Sequence, residues 1–216
     1  MSALRDRLRN FWLDQGIVRL FWTNTARIAP GVYRSNQPDA RRLAKMKAEG
    51  LRAVLYLRGT DGGAPYRVEK AACAALGLRF HSFNMSAHRL PPPDRVLALI
   101  ALFRRIEKPF LLHCRAGADR TGLASAIYLL AIEGRSVTEA KGMLSARFGH
   151  WSWSSTGVLD QMLHAYAAAH GPKADPHAPG DGAAFEAWVR AGYDPVAITA
   201  DFDAMGLAAR IRQTQG

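Results

Sequence analysis

Pro109-Phe110-Leu111-Leu112-His113-Cys114-Arg115-Ala116-Gly117-Ala118-Asp119-Arg120-Thr121-Gly122 runs from an apolar tetrad through a glycine-bearing turn into a second apolar stretch, Leu123–Ile132. The order predicts a buried strand, a short loop and a buried helix. A loop at a helix N-terminus offers unpaired backbone N–H groups and the positive end of the helix dipole. Here it also carries a cysteine and, six residues on, an arginine. That combination is an anion cradle with a nucleophile inside it.

Each residue type has a use in phosphate chemistry. Residues 115 to 120 can curl so that successive N–H groups point inward as a nest, with Arg115, Ala116, Gly117 and Ala118 lining the bound anion. Gly117 permits backbone geometry that a β-carbon hinders. Arg120 presents a planar fork able to hold two phosphate oxygens at once. Positive surroundings of this kind lower a cysteine pKa from about 8.5 into the range of about 3.5–7.5. Cys114 is therefore expected to be a thiolate that attacks phosphorus and forms a phosphocysteine. Thr121 is placed to donate a hydrogen bond to that sulfur, and His113 to brace the loop. Cys73 makes the contrast: it sits in the helical stretch Glu69–Leu76 with no anion-binding feature and reads as a packing residue.

Outward from the loop, strand and helix signals alternate. They run as strand 28–34, helix 38–49, strand 53–57, helix 65–76, strand 79–83, helix 94–107 and strand 109–113. Helices follow at about 120–133, 136–148 and 155–169. This predicts an α/β fold with a central, mostly parallel twisted sheet flanked by helices. Ligands of such sheets bind at the C-terminal ends of the strands, where Cys114 falls.

His113–Gly122 resembles the signature loop of the cysteine-dependent protein tyrosine and dual-specificity phosphatase superfamily, Cys-x5-Arg followed by Ser or Thr. The strand–helix order across residues 28–170 is similar to that family as well. Val32-Tyr33-Arg34-Ser35-Asn36-Gln37-Pro38 and Val54-Leu55-Tyr56-Leu57-Arg58-Gly59 resemble its compact atypical bacterial branch. The resemblance implies the fold, the phosphocysteine route and the absence of a metal or other cofactor.

One part of the family pattern is missing. Departure of the leaving oxygen needs a proton donor, which the family places on an Asp about thirty residues before the cysteine. Here His81–Pro93 contains no carboxylate. Asp119, inside the loop, is the first candidate; Asp-Arg-Thr resembles the loops of inositol-lipid phosphatases, and a loop-shaping ion pair is the competing role. Asp61, in the turn Thr60-Asp61-Gly62-Gly63, and His88 are the others, while Asp94 reads as a helix-start residue. The gap leaves a second function open: a catalytically weak phosphate-binding module that recognises phosphorylated partners at a membrane surface. Sulfur transfer or arsenate reduction, which use similar loops, is a third; arsenate reduction wants further resolving cysteines, and only Cys73 is available.

Composition bounds these readings. The chain has 216 residues, enough for one domain with additions. Two cysteines exclude a disulfide scaffold and fit a reducing, cytoplasmic compartment, and the seven histidines show no zinc spacing. The net charge of +11 is uneven: residues 1–60 hold twelve Lys/Arg against four Asp/Glu, and residues 121–216 hold seven against nine. A basic half around an anion site suits a phosphorylated protein or an anionic phospholipid or glycolipid; no nucleic-acid reading motif occurs. Residues 1–25 form an N-terminal amphipathic, basic segment. Within it Leu4, Leu8, Phe11 and Trp12 share one helical face, and residues 2–22 can either pack on the domain or contact a membrane peripherally on its inner face. The catalytic domain is expected over 26–170, and a Pro/Gly-rich linker with a helical extension over 171–216. Phe148–Gly157, between two late helices, reads as a packed loop capped by Ser155 or Thr156; its tryptophans could instead touch an apolar part of a substrate.

Overall fold

The computed structural model describes residues 23–60, 62–169 and 181–213. The N-terminal segment 2–22, Asp61 and most of the predicted linker lie outside these residues. Five strands form one sheet: β1 (Ala26–Ala29), β2 (Val32–Ser35), β3 (Ala53–Tyr56), β4 (Arg79–Ser82) and β5 (Phe110–His113), in the order β1-β2-β5-β3-β4. Only β1 pairs antiparallel; β2, β3, β4 and β5 run parallel. The strand expected over 28–34 is in fact two, because Pro30-Gly31 makes a turn with Gly31 at φ +72°. Proline followed by a residue of positive φ favours that reversal.

Alternation along the strands sorts the core into two layers. Val54 and Leu111 face a cluster formed with Leu43 of α1 (Ala40–Ala48) and Cys73 of α2 (Ala64–Ala75). Ala53, Leu55, Phe110 and Leu112 face the larger cluster, covered by α3 (Pro93–Phe103), α4 (Asp119–Ala131), α5 (Val137–Lys141) and α6 (Val158–Ala169). Because both faces are covered, every residue of β3 and β5 is buried. Helix α4 is buried continuously from Thr121 to Ala131, which makes it the central helix of the molecule.

Three predicted helices are shorter than their periodicity suggested. The first, α3, stops at Phe103, where Arg105 N and Ile106 N both turn back to the Leu102 carbonyl. The second, α5, ends at Lys141, where Met143 N and Leu144 N turn back by three residues to the Ala140 and Lys141 carbonyls, and a 3-10 turn, Ala146–Phe148, follows. The third lies in the C-terminal extension, where the sequence reads as one helix over 195–212 and the chain instead divides into α8 (Pro195–Ala204) and α9 (Leu207–Gln213) around Gly206. With α7 (Gly182–Ala191), this extension is built into the main core: Phe185, Val189 and Phe202 are buried there.

Candidate active site

The loop between β5 and α4 starts from the middle of the sheet. Its neighbours are the segments that leave β2 and β3, and together with α2 and the 3-10 turn they hold it from outside. Four consecutive loop carbonyls are accounted for. His113 Nδ1 lies 3.0 Å from the Cys114 carbonyl oxygen. Gln37 N donates to the Arg115 carbonyl at 3.1 Å. Asn24 Nδ2 donates to Ala116 O at 3.0 Å, and Arg34 Nη2 to Gly117 O at 2.6 Å. In a trans peptide the N–H points opposite to the C=O. Turning carbonyls 114–117 outward therefore turns the N–H groups of 115–118 the other way, to the concave side.

The supports are themselves tightly held. Arg34 is fully buried, also donates to Met143 O at 2.7 Å, and stacks on Phe148 with 3.6 Å from guanidinium carbon to ring centre. Burial pulls its pKa from 12.5 down to about 10 against a raising influence of the Cys114 sulfur nearby. Asn24 takes a left-handed conformation, φ +51°, tolerated by Asn, and its amide also reaches Phe148 O at 2.9 Å. Glu69 of α2 faces His113 Nε2 at 2.5 Å with one oxygen and accepts from Gln37 Nε2 with the other at 2.8 Å. Gly117 sits at φ +78°, and a β-carbon there would stand 2.7 Å from Asn36 N and the Ser35 carbonyl. No other residue fits without moving β2.

Cys114 lies at the base of this loop, 3% exposed. Thr121 is fully buried and Arg120 half-buried; Thr121 Oγ1 and Arg120 Nε have no hydrogen-bond partner among the described residues. Helix α4 begins after Ala118 without a side-chain cap. The Arg120 and Thr121 side chains, six and seven residues after Cys114, and the uncapped start of α4 leave hydrogen-bond donors without acceptors among the described residues. Arg115 is half-buried and Ala116 exposed, at the rim. Cys73 is a packing residue: it is buried, and burial with Glu69 nearby pushes its thiol up to about 12.

Asp119 is engaged. Its carboxylate takes a hydrogen bond from His150 Nδ1 at 2.8 Å and another from Thr156. Burial alone would raise its pKa, but these bonds and the His150 charge hold it below the ordinary carboxylate value. The other imidazole nitrogen, His150 Nε2, meets Asp160 at 2.7 Å. Burial opposes protonation of His150, yet its two carboxylates prevail and lift its pKa to about 9. His88 is exposed and bonds Ser155 Oγ at 3.2 Å; Asp94 occupies the first turn of α3.

Asn24, Glu69 and His150 had not been singled out in the sequence, and Arg34 only as part of a resembling string. Signals for two of them exist. Arg34 shares a strand face with buried Val32, and Glu69 lies one helical turn before buried Cys73. A charge on a buried face needs a partner.

A sequence profile described as the tyrosine phosphatase family matches residues 23–138. The dual specificity protein phosphatase TpbA of Pseudomonas aeruginosa is 30% identical over 148 residues, which is 65% of this chain and 54% of that protein. Inositol diphosphatase DSP1 of Oryza sativa subsp. japonica is 33% identical over 105 residues, 46% of each chain. The chain spans about half the length of the curated relatives it matches. The crystal structure of P. aeruginosa TpbA in complex with pTyr superposes with a TM-score of 0.52 at 21% identity, over 85% of this chain and 92% of that one. Tk-PTP in the active form gives 0.52 at 22% identity, over 66% and 98%. At such identities the likeness is one of fold.

Proposed function

Since the chain belongs to the tyrosine phosphatase family, we propose that it is a cysteine-dependent phosphomonoesterase that works through a phosphocysteine. The observation that carries this reading is the loop itself. Four carbonyls are fastened by the loop's supports, and the donors Arg120 Nε and Thr121 Oγ1, six and seven residues after Cys114, are buried without partners among the described residues. A tetrahedral dianion supplies the acceptors those donors lack.

The Cys114 thiolate attacks phosphorus; the S–P bond forms as the P–O bond to the leaving group breaks. Arg120 and the N–H groups of 115–120 hold the three equatorial oxygens, where charge is spread in the transition state. Thr121 donates to the sulfur as it becomes the leaving group of the second step. Asp119 is ionised at rest, so the departing oxygen takes a proton that His150, protonated at neutral pH, passes through the Asp119 carboxylate, leaving the imidazole neutral until the second step returns the proton. Water, deprotonated by the same carboxylate, then displaces the sulfur and frees inorganic phosphate. Arg115, Ala116, Gly117 and Ala118 line the anion. The substrate is phosphotyrosine in a protein or an acidic phosphorylated lipid or glycolipid headgroup. The pTyr complex of TpbA supports the first class, and the name of the rice inositol diphosphatase supports a phosphorylated inositol.

The test is phosphate release from an aryl phosphate, phosphotyrosine peptides and phosphoinositides by wild type, Cys114→Ser, Arg120→Lys and Asp119→Ala. Loss of turnover in Cys114→Ser and a fall of at least about a hundredfold in Arg120→Lys are expected. An unchanged rate in Asp119→Ala removes the assigned acid. Oxyanion binding with no turnover on any substrate would leave the phosphate-binding module instead.

A further inference from the structure

His150 and Thr156 both hydrogen-bond the Asp119 carboxylate, so the chain between them leaves the phosphate loop and returns to it. The arch is stiff. Ser154 N donates to Trp151 O at 2.9 Å, and Thr156 N to Ser154 Oγ at 3.2 Å. Gly157 backs so closely onto Ser152 that a β-carbon would lie 1.7 Å from the Ser152 carbonyl oxygen. What this arch presents is two indoles. Trp151 is 50% and Trp153 46% exposed, with ring centres 6.2 Å apart. The sequence reading of a packed loop is therefore corrected: the loop is packed at its ends and open at its tryptophans.

We propose that the arch 151–155 is a membrane-docking element that sets the mouth of the phosphate pocket against an anionic lipid surface. An indole has an apolar body and one N–H donor, and belongs at a headgroup boundary where one side is wet and the other apolar. The flanks supply the matching charge. His88, bonded to Ser155, and Arg89 beside it are exposed, as is Arg147 at the approach to the arch. Arg115 is on the pocket rim. Asp119 and Asp160, the carboxylates that the described residues bring to this end of the arch, both bond His150. Aromatic residues framed by cations complement anionic headgroups. A phosphotyrosine peptide would also meet the indoles, but a single peptide does not call for cations spread along both flanks. The proposal rests on the phosphatase reading only in naming what the pocket meets at that surface.

The experiment is co-sedimentation of the full chain with vesicles of phosphatidylcholine alone and of phosphatidylcholine with about a third phosphatidylglycerol. These lipids contain no phosphomonoester, so the outcome is independent of turnover. Wild type is expected to partition onto the anionic vesicles, and Trp151→Ala/Trp153→Ala to partition about tenfold less. Trp151→Phe/Trp153→Phe, which keeps most of the apolar area, should recover much of the difference. Brominated phosphatidylcholine should quench wild-type indole emission more than that of the Phe pair, a readout that does not depend on how well the Ala variant folds. Equal partition of wild type and the Ala pair overturns the proposal. So does loss of phosphotyrosine-peptide binding in the Ala pair with vesicle binding retained, which assigns the arch to peptides. A chain that docks through the arch and releases no phosphate keeps the docking site and loses the enzyme.

Discussion

Arg34 Nη2 donates to the Gly117 carbonyl across 2.6 Å, joining the fully buried end of β2 to the turn of the phosphate loop 83 residues away. The same guanidinium holds Met143 O and stacks on Phe148, so one side chain fixes the loop and the segment that leads into the tryptophan arch.

Arg34→Leu leaves two buried carbonyls without donors. A loss of about 2–4 kcal/mol in stability is expected, read as a lower denaturant midpoint at unchanged slope. Arg34→Lys should restore only part of it, because an ammonium cannot serve both carbonyls and stack on the ring. In both variants vanadate should bind more weakly.

Gly117→Ala meets strain at φ +78° and backbone atoms at 2.7 Å. The loop must shift, and a displacement of about 1 Å at a reacting centre costs about a hundredfold. The expected result is a fall of that size in kcat/KM on an aryl phosphate, with far-UV circular dichroism unchanged.

His150 gives stability a pH dependence whose sign is fixed. Its pKa rises from 6.5 to about 9 on folding, so the folded state binds the proton more tightly. Its contribution is complete below about pH 6.5 and is lost as pH rises through about 9. Asp119, held low, acts in the opposite range: its contribution is present above the unfolded value of 3.8 and is lost as pH falls through its lower folded value. Wild type should lose on the order of 2–3 kcal/mol between pH 6.5 and 9 that His150→Gln does not lose. Parallel stability curves for the two proteins across that interval would contradict the assignment.

Glu69 joins α2 to the cysteine strand through His113 and to the β2 exit through Gln37. Glu69→Ala should cost about 2–4 kcal/mol and lower activity, since it leaves the imidazole without its acceptor. Glu69→Gln keeps an acceptor and should lie between the two. Thermal melting and aryl phosphatase assays on the same preparations check both.

The sheet and the loop were legible because their signals are local. Alternating apolar runs marked the strands, and Cys114, Gly117, Arg120 and Thr121 stand within eight residues of one another. The supports were not, because what defines them is distance along the chain. Asn24 reaches its loop partner across 92 residues, Glu69 across 44 and His150 across 31. Periodicity carries no information on such pairs. Asp119 is the intermediate case: the loop-shaping ion pair weighed for it in the sequence is the contact it makes with His150. The partner that decides its charge lies in a loop whose histidine had no local signal.

The outward fastening of carbonyls 114–117 has a calorimetric consequence. A receptor whose peptide planes are already oriented undergoes little rearrangement when an oxyanion arrives, so titrations with the non-bonding dianions sulfate, selenate and tungstate should rank by ionic size and charge alone. Entropy lost in ordering this turn was spent when the chain folded, and none of it recurs with each ligand.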